Sequence, residues 1–393
     1  MLSLTLLGLA RGGFSTASHR QSVMNLNTPT KPDRTVRNRP NLRQIAAELG
    51  VSMMTVSRGL RGSPEVSAVT RERILAAAER LKYRPNRVVN AFKTGRTGFV
   101  GMMVRPSKLY RCDLIEGIHD ELVAAGSLPV MHFSRTGGEA TPDAAELDCL
   151  HRLLDQRVDG IVFWPSDETV PNHYLEEVWK RGVPLVAVDR QLPHTRADFS
   201  GTDDVAGGRI AAEHLLRLGH RRLAILCGEP WVSTYADRRQ GFVEAVTAHN
   251  AAAACDKAGD KAVVCEQIEC RNESALDESR ELLSSHDRPT AVFAVSDVLA
   301  AHIYAAAAAL KLSVGTDVSV LGYADIPEAG LLRPSLSPVR QDFQEIGRNA
   351  ARLLLDRIEG RVTAERARSI RIIPTLIARH STSAPNHHHS PAS

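Results

Sequence analysis

Residues 42–60 read LRQIAAELGVSMMTVSRGL, and the spacing of small and apolar residues there fits two short helices crossing at a tight turn. Ile45, Ala46 and Leu49 form one apolar face of a first helix, and Ala46 is small where a second helix must approach. Gly50 supplies unrestricted backbone for the turn, and Val51 plugs the angle between the helices. Ser52 is an N-cap for a second helix running from Met53 to Leu60, with Val56 turned back into the core. Small residue, glycine and buried valine at these spacings specify a helix-turn-helix whose second helix reads a major groove.

The surrounding chain supports that reading. Ser67 caps a third helix through TRERILAAAERL, with Ile74, Ala77, Ala78 and Leu81 on its buried side. Between residues 31 and 96 there are 15 Lys or Arg against 5 Asp or Glu, whereas the whole chain carries a net charge of only +4. Basic charge concentrated on the segment that holds the helix-turn-helix points to a polyanionic partner.

A chain of 393 residues has room for two or three domains with substantial cores. The six cysteines, Cys112, Cys149, Cys227, Cys255, Cys265 and Cys270, show no CxxC spacing, as expected of reduced residues in a cytoplasmic protein. No apolar run approaches the roughly 20 residues of a membrane span. The opening LSLTLLGLA lacks the charged flank and cleavage site of a signal peptide. Residues 1–38 are therefore expected to be a disordered extension, with Met24 a candidate start, and 382–393, including three adjacent histidines, a disordered tail.

From residue 98 onward β-branched runs alternate with helical stretches. The strand candidates are GFVGMMV, LPVMHFS, DGIVFW, PLVAVD, RRLAILCG, AVVCEQIE, AVFAVSD and VSVLGYA. Continuous apolar strands separated by helices imply parallel sheets covered on both faces. That many units in about 280 residues fit two doubly wound lobes, whose ligands sit beyond the carboxyl ends of the strands. Polar residues stand at those ends: Asp189 and Arg190, Asp203 and Asp204, Ser296 and Asp297. Taken singly, each also suits a helix cap or a turn.

Residues 41–381 resemble the lactose-repressor (LacI/GalR) family of bacterial transcription regulators. The resemblance rests on VSMMTVSRGLRGSPEVSAVTRERILAAAERLKYRPN, GRTGFVG, VDRQLP, GTDDVAGGRIAAEHLLRLGHRRLAIL, RRQGFVEAV and VSVLGYADIPEAGLLRPSLSPVRQDFQEIG. It implies an all-α helix-turn-helix domain at 39–85, a hinge helix and linker at 86–97, and a two-lobed α/β core at 98–381 similar to periplasmic sugar-binding proteins. It further implies a homodimer, or a dimer of dimers, on a double-stranded operator that is an inverted repeat.

Carried onto this sequence, the resemblance places Ser52, Met53, Met54, Thr55, Ser57 and Arg58 on the recognition helix. Met53 and Met54 occupy its base-discriminating positions; methionine has no bidentate donor pair, so it would meet thymine methyls or adapt to the groove. Arg58 suits guanine or a phosphate, and Thr55 and Ser57 suit phosphates. Gly59 stands where a core valine is common, and Arg61 replaces the usual asparagine, adding a phosphate contact. Asn86 opens the hinge, and Phe92 occupies its minor-groove wedge position.

In the core, Asp189 and Arg190 match a pair that grips sugar hydroxyls in relatives. Arg238 matches an arginine reaching the ligand from the second lobe, Ser296 a position often held by asparagine, and Gln341 a glutamine of a crossing segment. Tyr110, Trp164 and Trp231 are candidates for a flat face against a sugar ring, or for ordinary packing. Ala324 replaces an aspartate that commonly binds hydroxyls, and Asp325 is expected to point elsewhere. The expected effector is a sugar or sugar derivative, with a nucleobase or another metabolite as the alternative. No cofactor or metal is implied.

Two other classes fit less well. A solute-binding protein of a transporter needs an export signal and has no use for a helix-turn-helix. An enzyme on this scaffold is possible in fold, but no nucleophile elbow, Walker loop, GxGxxG fingerprint or metal-ligand spacing occurs.

Overall fold

The computed structural model describes residues 40–84, 95–104, 112–133, 142–165, 175–192, 196–253, 262–362 and 366–386. The chain divides into two compact units, residues 1–85 and 86–393.

The first unit is three helices, α1 (Leu42–Leu49), α2 (Met53–Leu60) and α3 (Ala68–Arg80). Asn41 caps α1 in a capping box with Gln44, satisfying donors at both positions. Gly50 ends α1 with φ 64°, the left-handed conformation that glycine adopts at little cost. Ser52 and Ser67 cap α2 and α3 by accepting from the amides of Thr55 and Thr70. Ile45, Ala46, Val56, Val66, Ile74, Ala77 and Ala78 form the core, as the helical spacing predicts. Gly59 is explained by its neighbour: a Cβ there would lie 2.5 Å from Ile74 Cδ1. Ile74 fills the space that a larger residue at 59 would take.

The second unit holds two six-stranded sheets. The first lobe runs β1 (Phe99–Val104), α4 (Cys112–Ala124), β2 (Leu128–Phe133), α5 (Pro142–Asp155), β3 (Gly160–Phe163), α6 (Leu175–Lys180), β4 (Leu185–Val188) and β5 (Asp198–Thr202). The second runs α7 (Asp204–Arg217), β6 (Arg222–Gly228), α8 (Ser233–Ala253), β7 (Val263–Glu269), α9 (Ala275–Ser284), β8 (Ala291–Ala294), α10 (Asp297–Ala309), β9 (Ser319–Ala324) and β10 (Ser337–Arg340). Then α11 (Phe343–Ile358) and β11 (Ser369–Ile372) return to the first lobe, and β12 (Thr375–Leu376) joins the second sheet.

Strand order is β2-β1-β3-β4-β5-β11 in one sheet and β7-β6-β8-β9-β10-β12 in the other. All pairs are parallel except β10 with β12. The central strands β3, β4, β5, β8 and β9 are buried along their whole length, so their apolar runs are covered on both faces. The strands expected from sequence are present; β5, β10, β11 and β12 are not among the expected runs.

The chain crosses between lobes at residues 202–204, 340–343 and 372–375. Each crossing leaves the carboxyl end of a strand, so the carboxyl edges of both sheets face the junction. Asp203 N donates to Ile372 O at 2.8 Å and Gln341 Nε2 to Thr202 Oγ1 at 2.8 Å, which ties the three crossings together.

Ordered contacts continue past the expected limit at residue 381. Ser383 N donates to Ser319 Oγ at 3.0 Å and Asn386 Nδ2 to Thr316 O at 3.0 Å. These bonds carry residues 382–386 along the amino end of the second sheet.

Candidate functional site

On the first unit, α2 presents Met53 and Met54 outward at 49% and 54% exposure. Ser52 and Thr55 are joined by a hydroxyl–hydroxyl bond of 2.9 Å at the start of the helix. Arg58 is on the surface and pairs with Glu65 at 2.7 Å. Arg61 is exposed and donates to Ser57 Oγ at 3.1 Å. Ser57 itself is buried. Its expected role as a phosphate contact is therefore corrected: helical spacing puts Ser57 one position past Val56 and against the core, where its hydroxyl anchors Arg61. Asn86 and Phe92 lie outside the described residues.

In the second unit the junction is built around Arg238, on the first turns of α8. Its side chain is buried; Nε donates to Asp204 Oδ1 at 2.8 Å, Nη1 to Val295 O at 2.8 Å and Nη2 to Gln341 Oε1 at 3.4 Å. The guanidinium carbon lies 3.8 Å from the centroid of the Tyr323 ring, and this cation–π contact caps one face. Burial raises the Asp204 carboxyl to about 6, with Arg238 working against that rise. Burial opposes the charge on Arg238, but Asp204 more than offsets it and keeps the guanidinium protonated. Burial also pushes the Tyr323 phenol up.

Helix packing makes this possible. A Cβ on Gly208 would meet Arg238 O at 1.9 Å, and one on Gly241 would meet Val205 O at 1.9 Å. Both obstacles are backbone, so α7 and α8 touch there only because the two positions are glycine. That contact sets Asp204 beside Arg238.

The expected site residues divide. Asp189 ends β4 with φ 63°, uncommon for a side-chain-bearing residue, and its charge acts on both Asp204 and Arg238. Arg190 follows, half-buried. Gln341 is buried on the second crossing and bridges Thr202 and Arg238. Ser296 caps α10, accepting from Leu299 N at 3.3 Å. Trp164 packs on the core, whereas Trp231 stands 45% exposed. Tyr110 lies outside the described residues.

One expectation changes in character. Arg238 is no free donor: a buried guanidinium must be matched within the protein, and its longest bond is the one to Gln341 at 3.4 Å. Asp325 pairs with Arg340 and Arg379, each at 2.7 Å, so its carboxylate is engaged within the protein. Ala324 sits at φ 113° beside it. Tyr323 is not among the residues expected from sequence, and Asp204 is expected only as a strand-end residue; its place after DFSGT is the signal for it, but nothing in the sequence shows Tyr323 folding over Arg238.

A basic helix-turn-helix unit joined to two lobes with a polar junction defines a ligand-responsive DNA-binding regulator. Residues 41–86 match the profile of bacterial regulatory proteins of the lacI family, and 212–382 that of the periplasmic binding protein-like domain. The transcriptional regulator CelR of Thermobifida fusca is 33% identical over 333 residues, covering 83% of this chain and 94% of that protein. The transcriptional repressor PurR of Proteus mirabilis (strain HI4320) is 30% identical over 345 residues, covering 86% and 96%. A solved CelR–cellobiose complex has a TM-score of 0.60 at 30% identity, covering 87% of this chain and 100% of that one. The lac repressor dimer bound to operator and the anti-inducer ONPF has a TM-score of 0.71 at 25% identity, covering 88% and 99%.

The chain belongs to the lacI family of bacterial regulatory proteins. It is a DNA-binding transcriptional regulator controlled by a small-molecule effector. Among the described residues, no helix is long and apolar enough to cross a membrane.

Proposed function

We propose that this regulator binds an inverted-repeat operator as a homodimer, with α2 in the major groove, and that a sugar or sugar derivative held between its lobes controls that binding. The observation that carries the DNA reading is the exposure of Met53 and Met54. Every other large apolar side chain on α1 and α2 is buried or half-buried. A short helix keeps two adjacent methionines in water at a cost of apolar burial, which a groove lined by thymine methyls offsets.

In this reading Met53, Met54 and Arg58 face the bases, and Ser52, Thr55 and Arg61 hold the backbone. Ser57 supports Arg61. Asn86 and Phe92 belong to the segment that meets the minor groove between half-sites. One α2 per chain covers too few bases for useful specificity alone, which favours a dimer; the lac repressor relative is a dimer on its operator.

Effector control follows from the crossings. Asp189 and Arg190 belong to one lobe, Arg238 and Ser296 to the other, and Gln341 to a crossing between them. A polar ligand bridging these groups stabilises one lobe arrangement over the other, and that differential affinity is what shifts DNA binding. A hydroxylated ligand suits the mixture of donors and acceptors, and the CelR relative is solved with cellobiose. The test is a fluorescence titration with a labelled inverted repeat at several salt concentrations, with and without candidate sugars. Dimeric, strongly salt-dependent binding that responds to a sugar is expected. Monomeric or salt-independent binding overturns the DNA reading, and a response to nucleobases alone overturns the sugar reading.

A further inference from the structure

Trp231 is the one large aromatic side chain among the described residues that is well exposed. It stands in the loop between β6 and α8, at the carboxyl edge of the second sheet, on the side of the sheet where β7 is the outer strand. That edge faces the junction with the first lobe.

The loop is held firmly. β6 ends at Gly228 with φ 68°, where a Cβ would meet the Tyr235 ring at 2.7 Å. Val232 is buried, and its carbonyl accepts from Tyr235 N at 3.0 Å and Ala236 N at 3.1 Å. Cys270 N donates to Gly228 O at 3.2 Å, which fixes the exit of β7 against the same turn. The next residue, Arg271, puts its guanidinium carbon 5.7 Å from the Trp231 ring centroid. Arg271 is itself placed by a tight turn in which Ser274 N donates to Arg271 O at 3.1 Å. An indole on so constrained a loop could have been packed inward; instead it presents a ring to solvent beside a cation.

Further along the chain, on α8, Arg238 lies 5.7 Å from the Tyr235 ring centroid. Aromatic and cationic side chains therefore stand paired both at the rim, Trp231 with Arg271, and in the interior, Tyr235 with the buried Arg238.

We propose that Trp231 and Arg271 form an outer sugar subsite, so that the effector is a saccharide of at least two rings. This rests on the sugar reading above. The inner ring contacts the polar groups around Arg238, and the outer ring stacks its C–H face on the indole while Arg271 donates to its hydroxyls. An aromatic face suits the apolar face of a pyranose, and a guanidinium held against the ring is a rigid donor that loses little freedom on binding. Trp231 stands on the rim whereas Arg238 is buried, so a ligand that engages both extends beyond one ring.

The probes are glucose, galactose, cellobiose, maltose and lactose, with binding followed by thermal shift and calorimetry on the full chain. The expected result is that at least one disaccharide binds wild type 10-fold or more tightly than its component monosaccharide. Trp231→Ala should remove that advantage while leaving monosaccharide affinity unchanged, Trp231→Phe should restore part of it, and Arg238→Ala should weaken both ligands. Because Trp231 is exposed, unliganded Trp231→Ala should melt within a degree or two of wild type. If a disaccharide binds wild type and Trp231→Ala equally, or if a monosaccharide is the tightest ligand, the outer subsite is wrong and the sugar reading stands. If none of the five sugars binds, both fall.

Discussion

Asp204 and Arg238 form an ion pair of 2.8 Å in which both side chains are almost wholly buried, at the point where the chain first enters the second lobe. A pair so placed contributes little net stability, because removing two charges from water costs about what their attraction returns. Its strength lies in what happens when one partner is lost.

Arg238→Ala should destabilise the protein by about 3–5 kcal/mol at neutral pH, because it leaves a buried carboxylate uncompensated. Asp204 already sits at about 6, above the ordinary carboxylate range, so the folded state takes up its proton more readily than the unfolded chain. The stability from this group is full below about pH 4 and is lost as pH rises through about 6. Without Arg238 that window moves upward, so the melting temperature of the variant should fall further behind wild type between about pH 6 and 8. The double variant with Asp204→Asn should recover part of the loss; a single variant as stable as wild type at pH 7 would contradict the pairing.

Glu65→Gln should strengthen operator binding. Glu65 holds Arg58 at 2.7 Å on the surface of the first unit, and an exposed pair of this kind contributes no more than about 1 kcal/mol. Removing the acid frees Arg58 and removes a negative charge beside the helix proposed to enter the groove, for a gain of about 2- to 5-fold at moderate salt. Arg61→Ala should do the reverse, weakening all sequences alike and lowering the salt slope by about one. Titrations at four salt concentrations separate the two outcomes, and an unchanged slope would remove Arg61 from the interface.

Gly59→Val should destabilise the first unit by about 1–3 kcal/mol through overpacking. The new Cβ would begin 2.5 Å from Ile74 Cδ1, in a core already filled. Pairing it with Ile74→Ala should restore much of the loss, because the two side chains compete for one volume. Denaturant melts of the isolated changes and the pair give the coupling directly, and additive effects would mean that Ile74 does not fill the space above Gly59.

His220→Gln should flatten the loss of stability on mild acidification. His220 is buried, with Nε2 donating to Ser383 O at 2.8 Å and Nδ1 lying 2.9 Å from Thr290 Oγ1. Burial lowers it to about 4, the Ser383 carbonyl resists that fall, and the nearby charges of His214 and Arg221 add to it. A histidine depressed below its ordinary 6.5 supports the fold fully above about pH 6.5, and that support is lost as pH falls through about 4. The contribution is on the order of 3 kcal/mol. Asp198, whose carboxyl Arg357 and Arg368 hold below the ordinary range despite its burial, acts in the same direction but only at lower pH. Melting curves from about pH 7 to 4 should therefore separate wild type from His220→Gln before the Asp198 cluster titrates.

The local elements follow from residues that are close together in the chain. Capping serines, Gly50 and the 3.6-residue apolar period act within a few residues, so α1, α2 and α3 were legible together with their buried faces. Continuous apolar runs likewise marked the central strands β1, β3, β4, β6, β8 and β9, because a strand covered on both faces has no polar side to disguise it. The rest follows from contacts between distant parts of the chain. β10, β11 and β12 are short and partly polar, and they exist because a neighbouring edge offers hydrogen bonds, which no local pattern records. The assignment of α11 and β11 to the first lobe depends on two chain crossings, and the burial of Ser57 depends on how α2 settles on its neighbours. The site shows the same division. Asp189, Arg238 and Gln341 were visible as polar residues in the right segments, but their partners were not. Arg238 meets Asp204 because two glycines let α7 and α8 touch, and Tyr323 reaches it from a strand 85 positions later in the chain. Long-range packing sets such contacts, and it is readable only once the backbone has closed.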